Sequence, residues 1–265
     1  MYKITQPTVL PIAEIINDSQ DYKTYVFDYQ LKAKPGQYLM IWLPGVDLKP
    51  FAVAWQTDKQ FAITVLKIGP FTTELFKAKP GGFLGFTGPY GTWFDFDGKK
   101  KILLIGGGSG TPSVTCLAQA ARQVSIEVDF VLAAKTKEGI IYEDWLAKQG
   151  VKVYHRFQND KYQRAWDLIT ELIDSNDYDA IYACGPELLL KRVVDLTLQK
   201  DVFCQISMER YMKCGFGICG KCCVDPLGIC LCEAGPVVSN QLATQITEFG
   251  RYHRDNSGQK VYFNQ

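Results

Sequence analysis

Six of the nine cysteines of this chain lie in one short stretch, residues 212–238, where they are interleaved with glycines. We call this stretch the cysteine segment. Within it Cys214, Cys219 and Cys222 follow the spacing C-x4-C-x2-C. This is the spacing of three ligands of plant-type [2Fe–2S] clusters, whose fourth thiolate comes from further along the chain. The segment is therefore a candidate iron–sulfur site.

The glycines of the cysteine segment have a physical role in this interpretation. A short chain brings four thiolates to two irons only by curling tightly, which requires positive φ angles. The glycines expected to adopt them are Gly215, Gly217 and Gly220. Such a curl also points backbone N–H groups at the cluster sulfurs. The cations close enough in sequence to offset the negative charge of the cluster are Arg210, Lys213 and Lys221.

The fourth ligand is Cys223, Cys230 or Cys232. Cys223 is disfavoured because it directly follows Cys222, and neighbouring side chains rarely reach one metal centre. Spacing does not decide between the other two. A zinc site is the main alternative, but zinc favours two C-x2-C pairs and the segment has one clear pair. The remaining cysteines, which lie in apolar surroundings and are expected to be small core residues, are Cys116, Cys184 and Cys204.

The bulk composition is that of an ordinary globular protein: 47% of the 265 residues are hydrophobic, 22% are charged, and the net charge is +1. This balance argues against nucleic-acid binding and electrostatic membrane attachment. No apolar run approaches the roughly 20 residues of a membrane-spanning helix. The N-terminus lacks the apolar core of a signal peptide, so we expect a cytoplasmic protein. In such a reducing compartment, clustered cysteines indicate metal binding more often than disulfides.

Three regions differ in pattern. Residues 1–98 contain short apolar runs separated by turn residues, which predicts a small antiparallel β-barrel. Residues 99–200 alternate strands with helices, which predicts a parallel sheet covered by helices on both faces. Residues 201–265 contain the cysteine segment and a polar tail, and are expected to form a third unit.

Two glycine turns follow predicted parallel strands. The first, Gly106–Gly110, leads into a helix with Pro112 in its first turn, and the second is Cys184-Gly185-Pro186. Glycine turns allow a pyrophosphate to approach the backbone, and ligands of open parallel sheets bind beyond the carboxyl ends of the strands. The two turns predict a nucleotide site, with a purely structural role as the alternative.

Five stretches together resemble a known family: "KPGQYLMIWLP", "KPFAVA", "LKIGPFT", "GPYGTWF" and "CEAGPVV". In this order they are similar to the ferredoxin-reductase-like flavoproteins, and most closely to the iron–sulfur flavoproteins that serve dihydroorotate dehydrogenases as electron-transfer subunits. The resemblance covers nearly the whole chain. It implies a flavin-binding barrel, an α/β domain of the NAD-binding type and a C-terminal [2Fe–2S] unit.

The resemblance also implies site residues. The barrel residues expected to contact FAD are Lys49, Pro50, Phe51, Ala52, Leu66, Lys67, Gly69 and Thr72, with the hydroxyl of Thr72 on the pyrophosphate. The glycine-turn residues expected at the nucleotide are Gly107, Gly108, Gly110, Cys184, Gly185 and Pro186. The cluster ligands become Cys214, Cys219, Cys222 and Cys232, since "CEAGPVV" resembles the ending of the family's cluster segment. No catalytic acid or base is expected, and His155 and His253 are assigned none.

Three departures from the family pattern bear on the cofactors. Lys49 stands where the family has Arg, and Ala52 stands where it has Ser. The turn Gly108–Pro112 is one residue shorter than the family's. We therefore predict FAD and leave NAD open as the co-substrate.

The predicted function is electron transfer within a dihydroorotate dehydrogenase complex of pyrimidine biosynthesis. The expected partner is an FMN-containing catalytic subunit in a hetero-oligomer, with electrons passing through [2Fe–2S] and FAD to NAD⁺ or another acceptor. One alternative is a reductase subunit of another oxidoreductase, of the hydrogenase or glutamate-synthase type. The other is a zinc-stabilised interaction module.

Overall fold

A computed structural model describes residues 6–157 and 165–263. The first part of the chain forms one antiparallel sheet of seven strands. Its strands are β1 (Thr8–Pro11), β2 (Glu14–Asn17), β3 (Tyr22–Asp28), β4 (Tyr38–Leu43), β5 (Asp47–Gln56), β6 (Gln60–Leu66) and β7 (Phe83–Tyr90). They are ordered β1-β7-β4-β5-β6-β3-β2, and α1 (Pro70–Leu75) connects β6 to β7. Irregular registers in β4 and β5 help the sheet curl into a half-barrel around an apolar core. The predicted antiparallel β unit is confirmed.

The middle of the chain forms a parallel sheet. Its strands are β8 (Lys101–Gly107), β9 (Glu127–Ala134), β10 (Lys152–Phe157), β11 (Ala180–Cys184) and β12 (Cys204–Ser207), in the order β10-β9-β8-β11-β12. The helices between them are α2 (Thr111–Gln123), α3 (Glu143–Lys148), α4 (Ala165–Ser175) and α5 (Glu187–Gln199).

Alternation along β8 explains why helices cover both faces of this sheet. Leu103 and Ile105 belong to the core shared with α4 and α5. Ile102 and Leu104 belong to the core shared with α2 and α3. Successive side chains of a strand point to opposite faces, so an apolar run such as this one must be buried on both sides. The α/β prediction is confirmed.

The half-barrel and the parallel sheet are joined by α2. The hydroxyl of Thr115 donates to Ala54 O at 2.7 Å, and Gln56 N donates to the side-chain oxygen of Gln119 at 3.2 Å. These bonds hold the start of α2 against β5, so that the two units together can enclose a ligand.

The last part of the chain returns to the parallel sheet. Its elements are β13 (Cys223–Val224), β14 (Ile229–Cys230), α6 (Leu231–Ala234), β15 (Val237–Ser239), α7 (Asn240–Gln245), β16 (Tyr252–Arg254) and β17 (Lys260–Tyr262). β15 pairs antiparallel with β12, and Ser207 lies opposite Val237. The cysteine segment thus connects two adjacent strands of one sheet. No helix within the described ranges is long and apolar enough to cross a membrane.

Candidate electron-transfer site

A cavity of about 460 Å³ lies between the half-barrel, the start of α2 and the chain that follows β12. Seven of the eight predicted FAD contacts line it, and Lys67 does not. Those seven are Lys49, Pro50, Phe51, Ala52, Leu66, Gly69 and Thr72. The volume is within the range of small-molecule and cofactor sites. The structure therefore brings together residues from β5, β6 and α1 around a space of cofactor size.

The hydroxyl of Thr72 is engaged in shaping this wall. It accepts hydrogen bonds from Ile68 N at 2.9 Å and Gly69 N at 3.0 Å, and lies 3.1 Å from Gly69 O. These contacts fix the turn that leads into α1. In the structure the hydroxyl thus fixes the shape of the cavity wall. Its contact with the FAD pyrophosphate stays a prediction.

Several lining residues were not predicted as cofactor contacts. They include Tyr38, Ser109, Ser113, Ser207, Glu209, Arg210 and Met212. They come from three separate parts of the chain, and those inside a stretch that the sequence singled out, such as Tyr38 and Ser109, were assigned no contact there. A signal was available for Glu209, Arg210 and Met212, since they fill the short gap between β12 and the first candidate ligand.

The two glycine turns pack against each other. A Cβ on Gly107 would lie 2.7 Å from Pro186 and 3.3 Å from Gly185 Cα, and one on Gly110 would collide with the backbone of Cys184 and Gly185. Of the predicted nucleotide residues only Cys184 lines the cavity, beside Ser109 of the first turn. Close approach of two backbones accounts for glycine at 107, 110 and 185.

Two polar side chains give this end of the cavity its chemistry. Burial raises the pKa of the Cys184 thiol to about 12, so the group is neutral at physiological pH. Ser113, in the first turn of α2, is 4% exposed, and its Oγ has no nitrogen or oxygen partner within the described structure. Its polar neighbour is the Cys184 thiol, a weak hydrogen-bond partner. A buried hydroxyl without a strong partner that lines a cavity is available to a ligand.

Arg210 anchors the chain that closes the cavity. Its guanidinium is 3% exposed and contacts Glu187 at 2.5 Å and Glu248 at 3.0 Å. Glu187 also accepts from Gly250 N at 2.9 Å. The expectation that Arg210 offsets the charge of a cluster is therefore wrong, because two buried carboxylates already pair with it.

The candidate ligands lie in irregular chain that the glycines shape as predicted. Gly215, Gly217 and Gly220 have φ angles of +84°, +79° and +69°. A Cβ on Gly217 would collide with the carboxylate of Glu233, and one on Gly215 would lie 2.6 Å from Met40. The positive φ angles and these close neighbours explain why glycine occupies these positions.

The four thiols form two contacting pairs. Cys222 and Cys232 are buried, and Cys232 N donates to the sulfur of Cys222 at 3.3 Å. Cys214 contacts Cys219 at the more exposed end. Among the residues of the described ranges, no three His, Cys, Asp or Glu side chains surround a single metal-ion position. Two thiolates on each of two irons is the ligand set of a [2Fe–2S] cluster, which the pairs fit.

Backbone donors act on both pairs. Gly217 N donates to the sulfur of Cys232 at 3.1 Å. Partial burial opposes ionisation of Cys214, but N–H groups of Cys219, Phe216 and Ile218 outweigh it and lower its pKa to about 7. At Cys232 burial and the neighbouring Cys222 outweigh the Gly217 donor and raise the pKa to about 12. Thiolates are the forms that bind iron, so the donors favour that form at Cys214, whereas Cys232 would lose its proton to the metal.

Cys223 and Cys230 are joined by a disulfide across the hairpin of β13 and β14. Their sulfurs are therefore bonded to each other. Of the three residues considered for the fourth ligand, only Cys232 has a free thiol.

Tyr38 connects the cavity with the candidate ligands. Its ring lines the cavity, and its buried hydroxyl lies 3.0 Å from Gly215 O and 3.1 Å from Cys232 O. Burial raises its pKa, so the hydroxyl keeps its proton. Tyr38 lies in the stretch "KPGQYLMIWLP", for which no contact of this kind was predicted, and the structure places it in the core between the two candidate cofactor sites.

Comparison with known proteins agrees with this geometry. Residues 209–242 match the family described as the iron–sulfur cluster binding domain of dihydroorotate dehydrogenase B. Over its length the chain is similar to a protein of Methanocaldococcus jannaschii named "Probable dihydroorotate dehydrogenase B (NAD(+)), electron transfer subunit". The two are 38% identical, over 97% of this chain and 99% of the relative. A protein of the same name from Methanothermobacter thermautotrophicus is 34% identical, over 98% and 99%.

Solved structures show the same fold at lower identity. An NADH-dependent reduced ferredoxin-NADP oxidoreductase superimposes with a TM-score of 0.80 and 22% identity, over 92% of this chain and 91% of that one. Phthalate dioxygenase reductase gives 0.64 and 18%, over 72% and 64%. These two establish the fold, and the curated relatives establish the family. The chain belongs to the family of dihydroorotate dehydrogenase B electron transfer subunits.

Proposed function

We propose that this chain carries electrons from a dihydroorotate-oxidising subunit to NAD⁺, using a [2Fe–2S] cluster in the cysteine segment and FAD in the cavity. The observation that carries the proposal is Tyr38, which lines the cavity and binds two carbonyls next to candidate ligands. Two cofactor sites joined by one buried side chain are suited to electron passage between them.

The cluster ligands are Cys214, Cys219, Cys222 and Cys232. When bound, the cluster and the flavin supply the redox chemistry, in one-electron and two-electron steps respectively. The chain supplies thiolates, backbone donors to sulfur and a fixed geometry. Glycines with positive φ let the segment curl without side-chain clashes.

FAD binds in the cavity in this proposal. Lys49, which stands in place of the family's Arg, pairs with Asp47 at 2.7 Å, and this contact raises its pKa against the opposing effect of burial. It is therefore a permanent cation on the cavity wall. Ala52 of β5 has no hydroxyl to offer the flavin. Ser113 of α2, which also lines the cavity, has one.

NAD⁺ approaches the carboxyl edge of the parallel sheet, where the two glycine turns meet. The neutral Cys184 thiol lies where this edge opens into the cavity. A neutral thiol there would add no negative charge where the nicotinamide and the flavin would meet. The shortened turn Gly108–Pro112 is compatible with this, because Ser109 of that turn reaches the cavity wall.

The partner is an FMN-containing catalytic subunit in a cytoplasmic hetero-oligomer. Cys219 is exposed, and the neighbouring Ile218 is 72% exposed. An apolar side chain beside an exposed candidate ligand suits a protein contact at the point where electrons enter.

The test is to purify the chain with a dihydroorotate dehydrogenase catalytic subunit and measure iron, acid-labile sulfide and FAD. Anaerobic dihydroorotate should bleach the visible spectrum only when the partner is present, and NAD⁺ should restore the colour. Cys219→Ser should remove the iron, whereas the matched variant Cys204→Ser should retain it. Colourless protein would overturn the cofactor assignment. A coloured protein that dihydroorotate does not bleach would favour another oxidoreductase partner.

A further inference from the structure

The disulfide between Cys223 and Cys230 lies inside the proposed ligand set. Cys222 directly precedes one of its cysteines, and Cys232 follows the other by two residues. The disulfide thus closes a hairpin whose two ends carry the buried pair of proposed ligands. We call residues 222–232 the disulfide hairpin.

Contacts at the base of the disulfide hairpin tie its closure to the ligand pair. Leu231 N donates to Cys222 O at 3.1 Å, and Cys232 N donates to the sulfur of Cys222 at 3.3 Å. Both bonds require the two ends of the hairpin to stay in register. Whatever holds Cys223 opposite Cys230 therefore also holds Cys222 beside Cys232.

The disulfide is accessible. Both cysteines are half-buried rather than enclosed. The four residues that follow Val224 in the turn of the hairpin, residues 225–228, are exposed. Cys116, Cys184 and Cys204, by contrast, are buried.

We propose that Cys223 and Cys230 form a thiol–disulfide exchange site whose co-substrate is a dithiol, and whose state sets how firmly Cys222 and Cys232 hold the cluster. In the exchange, a thiolate of the dithiol attacks one sulfur and breaks the Cys223–Cys230 bond. The second thiol of the dithiol then attacks the mixed disulfide and releases the remaining cysteine as a thiol. The dithiol is oxidised to its own disulfide, and two electrons and two protons pass to the cysteines.

The proposal rests on the proposed function for the presence of a cluster and for the cytoplasmic location. Disulfides that occur in reducing compartments are usually transient, catalytic or redox-sensing, and exposed ones are the more easily reduced. Both facts fit a half-exposed disulfide in a cytoplasmic electron-transfer chain.

The size of the effect follows from chain entropy. Cross-linking a loop of this length disfavours its open form by roughly 50- to 100-fold. Other contacts survive reduction, since Gly228 N donates to Val224 O at 3.0 Å and Arg254 pairs with Asp225 at 2.6 Å. We therefore expect reduction to loosen the disulfide hairpin and leave it folded, with chelator-driven iron release about tenfold faster.

The experiment uses the anaerobically purified complex, with and without dithiothreitol as the dithiol. Free thiols are alkylated and mapped by mass spectrometry, and iron release to a chelator is followed in parallel. Without dithiol, Cys223 and Cys230 should resist alkylation as one linked pair. After dithiol both should be alkylated, and iron release should accelerate.

Two variants complete the test. The double variant Cys223→Ser, Cys230→Ser should release iron at the fast rate whether or not dithiol is added. Cys116→Ala, which removes a distant buried thiol, should respond to dithiol as the unaltered protein does. The proposal is overturned if both cysteines are alkylated without dithiol, or if opening the disulfide leaves iron release unchanged. Absence of iron would instead defeat the proposed function, and the mass map would still report on the exchange.

Discussion

The cavity and the cysteine segment are neighbours that are held in shape by different means. The cavity wall is mostly regular structure, in which β5, β6 and α2 are fixed by backbone pairing and by buried apolar side chains. Residues 214–222 lack helix and strand, and depend on glycine conformations and on hydrogen bonds to sulfur. A wall built from strands should tolerate side-chain changes that leave its backbone intact. The cysteine segment should lose its conformation when a glycine with a close neighbour is replaced by alanine.

Arg210 lines the cavity and lies two residues before the cysteine segment, and it offers the largest test of this difference. Arg210→Met removes the cation between two buried carboxylates, so the free energy of unfolding should fall by about 3–5 kcal/mol. Lys200→Met is the control, because its ion pair with Asp174 lies at the surface, with 37% and 50% of the two side chains exposed, and should contribute about 1 kcal/mol at most. Urea unfolding measures both. Similar losses would mean that Arg210 does not anchor the chain between the two regions.

Gly215→Ala tests the cysteine segment. Its Cβ would lie 2.6 Å from Cγ of Met40, a fully buried side chain that cannot swing away, and a left-handed alanine costs about 1–2 kcal/mol in addition. We expect most of the bound iron to be lost. Gly228→Ala separates the two causes, because Gly228 has a φ of +65° but nothing within 4 Å of its Cβ position. Iron analysis of purified proteins gives the comparison, and equal iron in the two variants would contradict the collision argument.

Tyr38→Phe tests the connection between the regions. Two carbonyls of the cysteine segment would lose their donor at a cost of about 1–3 kcal/mol. The visible circular dichroism of the cluster should change, since its backbone support shifts. Tyr25→Phe is the control, because it removes one buried hydroxyl, bonded to Leu75 O at 3.0 Å, inside the half-barrel. It should lower stability and leave the cluster spectrum as it was.

Ser113→Ala should have the smallest effect, in keeping with a tolerant cavity. Within the described structure its hydroxyl has no nitrogen or oxygen partner and only the weakly bonding thiol of Cys184 beside it, so the stability of the cofactor-free protein should hardly change. If the hydroxyl binds the flavin, the Kd for FAD should rise by up to about tenfold. Thr115→Val should lower the stability and leave the Kd for FAD unchanged, since the Thr115 hydroxyl donates to Ala54 O. Fluorescence titration with FAD distinguishes the two, and unchanged FAD affinity in Ser113→Ala would remove Ser113 from the cofactor site.

The same difference decides how much the sequence could predict. The candidate ligands and the positive φ angles of Gly215, Gly217 and Gly220 were predictable, because they depend on residue spacing within one short segment of the chain. The roles of Tyr38 and Ser113 depend on contacts between residues far apart in sequence, and their neighbours give no hint of them. Arg210 was misjudged for the same reason, because its partners Glu187 and Glu248 lie on distant elements. The strands and helices of the α/β unit were predictable because their apolar patterns repeat.

The pairing of β12 with β15 has a consequence for how such a protein can vary. Ser207 and Val237 face each other across the sheet, so everything between them leaves and returns at nearly one point. A tight turn joining these two residues would bypass the metal-binding unit and leave the strand order intact. The order of the strands therefore does not depend on the length or the path of the chain between them, although side chains of that chain, such as Met212 and Leu231, complete the core of the sheet.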